Sequence, residues 1–223
     1  MTAGLLIAAA IGAGALLPRS ERRGPAPALG AAFADLRRNP RVWAGWIATV
    51  SGLALWGAVL TFFPLLGHER GLSPLDIGLV LGVQSLVNTL ARVPAGWLID
   101  RNRARCPWIV GGLLAAALGT FVVPHLHRSA DFVLLGALLG VLFAAAFVAV
   151  GAALSEATTP ATRGLAMGGY STAIYVGLGL VAIGLGPVMD RWGYETGFSL
   201  AGAMGALGTL LAAALWGPAA RGR

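Results

Sequence analysis

Within the apolar run 74–99, Gln84, Asn88 and Arg92 recur at i, i+4 and i+8, with Ser85 and Thr89 beside them. Spacing by four lines three polar side chains along one stripe of a helix. Two amides and a guanidinium offer donors, acceptors and one fixed positive charge. Facing lipid, each would be costly, so the stripe must face protein or a water-filled cavity. Two uses stay open. It lines a solute pathway in which Arg92 attracts an anionic group, or it makes hydrogen bonds between helices. Arg92 stands about 10 Å from the end of its run by helical rise, within reach of snorkelling to the surface.

Catalysis finds no such support. The three histidines, His68, His125 and His127, all fall in gaps between apolar runs. None lies near a membrane-embedded serine, so an intramembrane serine protease would lack its base. His125 and His127 have no Cys or acidic companions at metal-site spacing, and no metal or cofactor is expected. No P-loop is present, so ATP-driven transport would need another subunit. A coupling carboxylate is expected at mid-depth, but Asp76 and Glu156 sit near span ends. The chain reads as no enzyme.

A third feature is a repeat. Gly-x-x-x-Asp-Arg occurs as GWLIDR at 96–101 and again as GPVMDR at 186–191. In the first copy the carboxylate of Asp100 ends a helix, where the local dipole disfavours it. It asks for a partner, and Arg101, Arg103 and Arg105 follow within five residues.

These side chains must be positioned by membrane helices. Of 223 residues, 57% are hydrophobic and 11% charged, and the mean hydropathy is +0.77. A soluble domain carries roughly 25% charged residues. Six runs approach or exceed the roughly 20 residues that cross a bilayer: 42–66, 74–99, 108–123, 132–154, 165–189 and 198–216. A seventh, 3–17, reads as the end of a helix cut inside its length, which points to a fragment or a misplaced start. The expected organisation is a partial span at 1–17, a loop at 18–41, a six-helix bundle at 42–217 and a tail at 218–223. In the loop, Leu29, Ala32, Phe33 and Leu36 follow helical spacing, with Asp35, Arg37 and Arg38 off the stripe. This suggests a short amphipathic surface helix. Glycine pairs such as Gly78/Gly82, Gly136/Gly140 and Gly164/Gly168 invite close helix packing.

The net charge of +7 is not a nucleic-acid footprint. All 16 basic residues are Arg, which suggests a GC-rich bacterial genome, and all but Arg92 lie in the gaps. The gap 18–41, the gap 100–107, the gap 155–164 and the C-terminus hold six, three, one and two of them. The alternate gaps hold Arg70, Arg128 and Arg191. Twelve against three places the first set and the C-terminus in the cytoplasm. Six of seven tryptophans fall near span ends, as an interfacial belt requires; Trp56 alone is near mid-span. The lone Cys106 allows no intramolecular disulfide.

The two motif copies stand at matching places in two three-helix units of opposite orientation, the pattern of inverted repeats in secondary transporters. With these residues the chain resembles the C-terminal six-helix half of the major facilitator superfamily, over nearly all of residues 1–217. GWLIDRNRAR resembles that family's G-x-x-x-D-R-x-G-R-R loop. Gly96, Asp100, Arg101 and Arg105 match, and Arg103 and Ala104 depart. LRRNPRVW, SEATTPATRG and GPVMDRWGYETGF resemble the segments leading into helices seven, eleven and twelve.

The resemblance implies a secondary transporter, a permease or efflux protein of the inner membrane, in which two halves rock about a central solute site. It implies a missing N-terminal half, or a second copy, as partner, besides the lipid bilayer and a small-molecule solute. It places the runs that hold Thr49 and Trp56 and that hold Phe143 and Phe147 at the central cavity. These four, Tyr175, and Gln84, Asn88 and Arg92 of the stripe are the cavity candidates, with core packing as the competing role for those outside the stripe. Tyr170 and Ser171 are further polar handles on the same run as Tyr175. So aromatic a wall favours an amphipathic or hydrophobic solute. Gly96, Asp100, Arg101 and Arg105 become a conformational latch at the cytoplasmic face. The alternative from another class is a non-transporting membrane scaffold derived from a half-transporter.

Overall fold

A computed structural model describes residues 29–102 and 104–217. The expected partial span, residues 18–28, Arg103 and the tail 218–223 lie outside the described residues. The elements in chain order are α1 (Leu29–Arg38), α2 (Pro40–Glu69), α3 (Pro74–Asn102), α4 (Arg105–Val122), a 3₁₀ turn (Val123–His125), α5 (Ser129–Glu156) and α6 (Arg163–Trp216). Helices α2 to α6, the 3₁₀ turn prolonging α4, are long and apolar enough to cross a membrane.

The 54 residues of α6 far exceed one span. The helix breaks at Gly193, where φ is 78° and ψ is 170°. That region of backbone space belongs almost solely to glycine. Beyond it the chain doubles back. Val181 and Leu185 share one apolar cleft of about 180 Å³ with Ala201 and Gly205. In a straight helix Val181 and Gly205 would stand about 36 Å apart. The segments 163–192 and 194–216 are therefore two spans, and the molecule is an all-α, multi-pass membrane protein with six spans among the described residues.

Local chemistry starts the helices. Asn39 caps α2 by accepting from the Arg41 amide at 3.0 Å, with Pro40 at the first helical position. The Asn39 side chain also donates to the Ala157 carbonyl at 2.8 Å, tying this end to the end of α5. Ser73 and Asp76 cap α3 reciprocally: the Ser73 amide donates to Asp76 Oδ2 and the Asp76 amide to Ser73 Oγ, both at 3.1 Å. Pro64 and Pro187 do not end their helices; α2 continues to Glu69, and α6 runs past Pro187 to the reversal. Helix α1 buries Ala32 and Leu36 and leaves Phe33 exposed.

Between helices in lipid, backbone contact replaces hydrophobic drive. A Cβ on Gly140 would fall 2.6 Å from the Gln84 carbonyl oxygen and 3.1 Å from the Asn88 nitrogen. Thus α3 and α5 touch along their backbones, running parallel. A Cβ on Gly177 would fall 2.7 Å from the Val50 carbonyl, which joins α2 to the first arm of α6 in the same way. By contrast Gly78, Gly82, Gly164 and Gly168 have nothing within 4 Å. They lie on outward faces of α3 and α6.

Candidate functional site

The α3–α5 and α2–α6 pairs meet around a cavity of about 230 Å³. Leu53 and Trp56 come from α2, Asn88 and Arg92 from α3, Phe147 from α5, and Tyr170 and Ile174 from α6. Trp56 and Asn88 are near the middles of 30- and 29-residue helices, so the cavity lies at membrane depth. Four of the eight cavity candidates therefore stand on one wall: Trp56, Asn88, Arg92 and Phe147.

Two more stand behind it. Phe143 is fully buried, edge-on to Trp56 at 5.1 Å and stacked on Phe147 at 5.9 Å between ring centroids. It braces the aromatic wall without reaching the cavity. Gln84 is buried between α3 and α5, and its Nε2 has no hydrogen-bond partner among the described residues. The other two do not join the wall. Thr49 is fully buried and donates to the Gly45 carbonyl of its own helix at 2.7 Å. Tyr175 is 74% exposed. One residue along a helix turns about 100°, so α6 presents Tyr170 and Ile174, four apart, where Tyr175 was expected. The close seating of Gly169 on Trp46, with Trp46 Nε1 donating to the Ala166 carbonyl at 3.0 Å, decides that rotation. The pairing of Tyr170 with Ile174 at i, i+4 was the available signal.

Within the wall, Asn88 is the organising residue. Its Nδ2 donates to the Gly140 carbonyl at 3.1 Å. Its Oδ1 accepts from Arg92 Nε at 3.4 Å and Nη2 at 3.3 Å. The polar stripe is thus both an interhelical bond and a cavity lining.

At the arginine-rich end the second group forms an ion cluster. Arg105 Nη2 lies 3.1 Å from Asp100 and 2.8 Å from Glu156. Its Nη1 donates to the Ile99 carbonyl at 2.6 Å, satisfying an orphan acceptor in the last turn of α3. One guanidinium therefore clasps the ends of α3 and α5 at the start of α4. Glu156 was not among the expected latch residues; nothing in its spacing pairs it with Arg105, 51 residues away. Arg101 lies instead over the Trp97 ring, 5.4 Å from its centroid, and Gly96 faces Val148 of α5 with room to spare. At the opposite end Arg70 donates to the Leu126 and Pro124 carbonyls at 2.8 and 2.6 Å.

Among the described residues no cluster of His, Cys, Asp and Glu is suited to a metal ion. The pattern of the Major Facilitator Superfamily matches residues 1–135 and 46–222, overlapping ranges that together run along nearly the whole chain. A search of curated proteins gives no match.

Proposed function

The chain belongs to the major facilitator superfamily, a family of membrane transporters, and from that premise we propose that it moves a small organic solute by alternating access. The observation that carries this reading is the cavity at membrane depth, walled by four helices and holding Asn88 and Arg92 where hydrocarbon alone would exclude them. On this reading the cavity closes against a second six-helix bundle, either an N-terminal half or another copy of the chain. The outward glycines of α3 and α6 supply surfaces on which such a bundle can slide. The arginine-rich end faces the cytoplasm, and Gly96, Asp100, Arg101 and Arg105 work there as a latch between the two tilted states. The twelve-to-three distribution of Arg supports that orientation and an inner-membrane location.

Labelling tests the mechanism without knowledge of the solute. In a Cys106→Ser background, Ile174→Cys is exposed to impermeant thiol reagents from either side of sealed membranes. Alternating access expects modification from both sides. Protection from both sides would mean a permanently packed scaffold and would end the transporter reading. A second measurement concerns the partner. Proteoliposomes holding only monomers of this chain are expected to carry no solute flux above lipid alone, because a site between two bundles needs both. Flux from a crosslink-verified monomer would overturn the need for a second bundle.

A further inference from the structure

Resting on the reading of this cavity as a solute site, we propose that its ligand is a small organic monoanion: a carboxylate carried on an aromatic or apolar body. Arg92 carries a charge that no carboxylate among the described residues neutralises. Asn88 donates from Nδ2 to the Gly140 carbonyl, which turns Oδ1 toward Arg92. Arg92 then holds that oxygen through two long contacts of 3.3 and 3.4 Å. The acceptor is neutral, so the guanidinium is oriented but its charge stays whole.

No carboxylate is placed to pair with it among the described residues. Every Asp and Glu of α2 to α6 lies in a first or last turn or beside the Gly193 reversal. Arg92 forms none of the ion pairs found at the two ends. An unpaired cation at membrane depth is expensive, and a bound carboxylate matches the guanidinium fork with two acceptors. Like charge disfavours a cationic solute, and one guanidinium compensates one negative charge. The rest of the wall sets the body of the ligand. Trp56, Phe147 and Tyr170 supply aromatic surface, and Leu53 and Ile174 supply aliphatic surface. This side of the cavity alone holds about 230 Å³.

Three matched probes test the assignment on the assembled transporter, with both bundles present, in a neutral detergent: phenylacetate, phenylacetamide and phenethylamine. They share a body and differ in charge. Calorimetric titration is expected to show phenylacetate binding roughly 10- to 100-fold more tightly than the amide, the range of a charge-assisted hydrogen bond, and phenethylamine binding weakest. Arg92→Gln should erase the preference, bringing phenylacetate down to the level of the amide. Arg92→Lys should restore part of it, since a point charge replaces the fork. Equal binding of all three probes, a preference that survives Arg92→Gln, or no phenylacetate binding at millimolar concentration would each overturn the proposal. Two-sided labelling at Ile174→Cys does not depend on ligand charge. It would remain if only the monoanion were wrong, and fail if the transporter reading were wrong.

Discussion

The two copies of Gly-x-x-x-Asp-Arg end equivalent helices in opposite orientations, yet they do different things. In the first, Asp100 meets Arg105, and Arg105 carries the contact on to Glu156 and the Ile99 carbonyl. In the second, Asp190 and Arg191 form no ion pair among the described residues. Two residues later Gly193 turns the chain back on itself. A motif at a helix end therefore marks where a span stops. What its charges do is decided by which neighbouring helix arrives beside them: the end of α5 beside the first copy, and the chain's own reversal at the second.

The largest effect is expected at the reversal. Gly193→Val demands a Cβ at φ 78° and ψ 170°, a strain of about 1–3 kcal/mol at the one residue where the helix reverses. Loss of folded protein after detergent extraction, measured by size-exclusion yield and thermal unfolding, is the expected result. Gly186→Ala is the control: it belongs to the same motif copy, and a Cβ there meets nothing within 4 Å. Equal behaviour of the two variants would show that the hairpin does not depend on Gly193.

Next comes the ionic hub. Arg105→Gln removes the contacts to two carboxylates and to the Ile99 carbonyl. Its side chain is 13% exposed, but Asp100 and Glu156 are 75% and 58% exposed. Solvent screening brings the expected loss down to about 1–2 kcal/mol. Thermal unfolding at low and high salt checks it, and a loss independent of salt would mean that packing of the side chain, not its charge, is what matters. Arg191→Gln, in the second copy, should leave the unfolding temperature unchanged.

A smaller effect separates the two aspartates. On the latch proposal, Asp100→Asn in the assembled transporter raises inward-open populations about fivefold, the low end of a coupling free energy, because Asp100 is largely exposed. Stability should change by less than about 0.5 kcal/mol. Asp190→Asn should alter neither. Cysteine accessibility at the arginine-rich end reads both variants, and matching behaviour would remove the latch. Smallest of all, Arg101→Gln loses only a surface contact with Trp97, at most about 0.5 kcal/mol at the low end for an exposed cation–π pair. Inward-open populations should change less than in Asp100→Asn, and unfolding should register the loss weakly or not at all.

Much of this was legible before any coordinates, for a physical reason. Hydrocarbon forbids unsatisfied backbone, so long apolar runs had to be helices, and their number followed from length alone. The stripe Gln84, Asn88 and Arg92 was readable too, because helical spacing is local and polar groups in lipid are conspicuous. Beyond one helix, the reading depended on distances that spacing does not encode. Whether α6 shows Tyr170 or Tyr175 to the cavity depends on its rotation, set by Gly169 and Ala166 against Trp46. Whether Thr49 lines a cavity or lies in the core depends on which helices cover it. That Asn88 bonds α5 and orients Arg92 at the same time depends on a glycine at 140 that lets two backbones meet. That Arg105 finds Glu156 depends on α5 ending beside α4. Sequence by itself determined which residues are helical, where charge sits along the chain, and which side chains had to avoid lipid. Tertiary structure alone decided their partners, since hydrogen bonds and ion pairs act over about 3 Å and only the packing of separate helices brings remote residues that close.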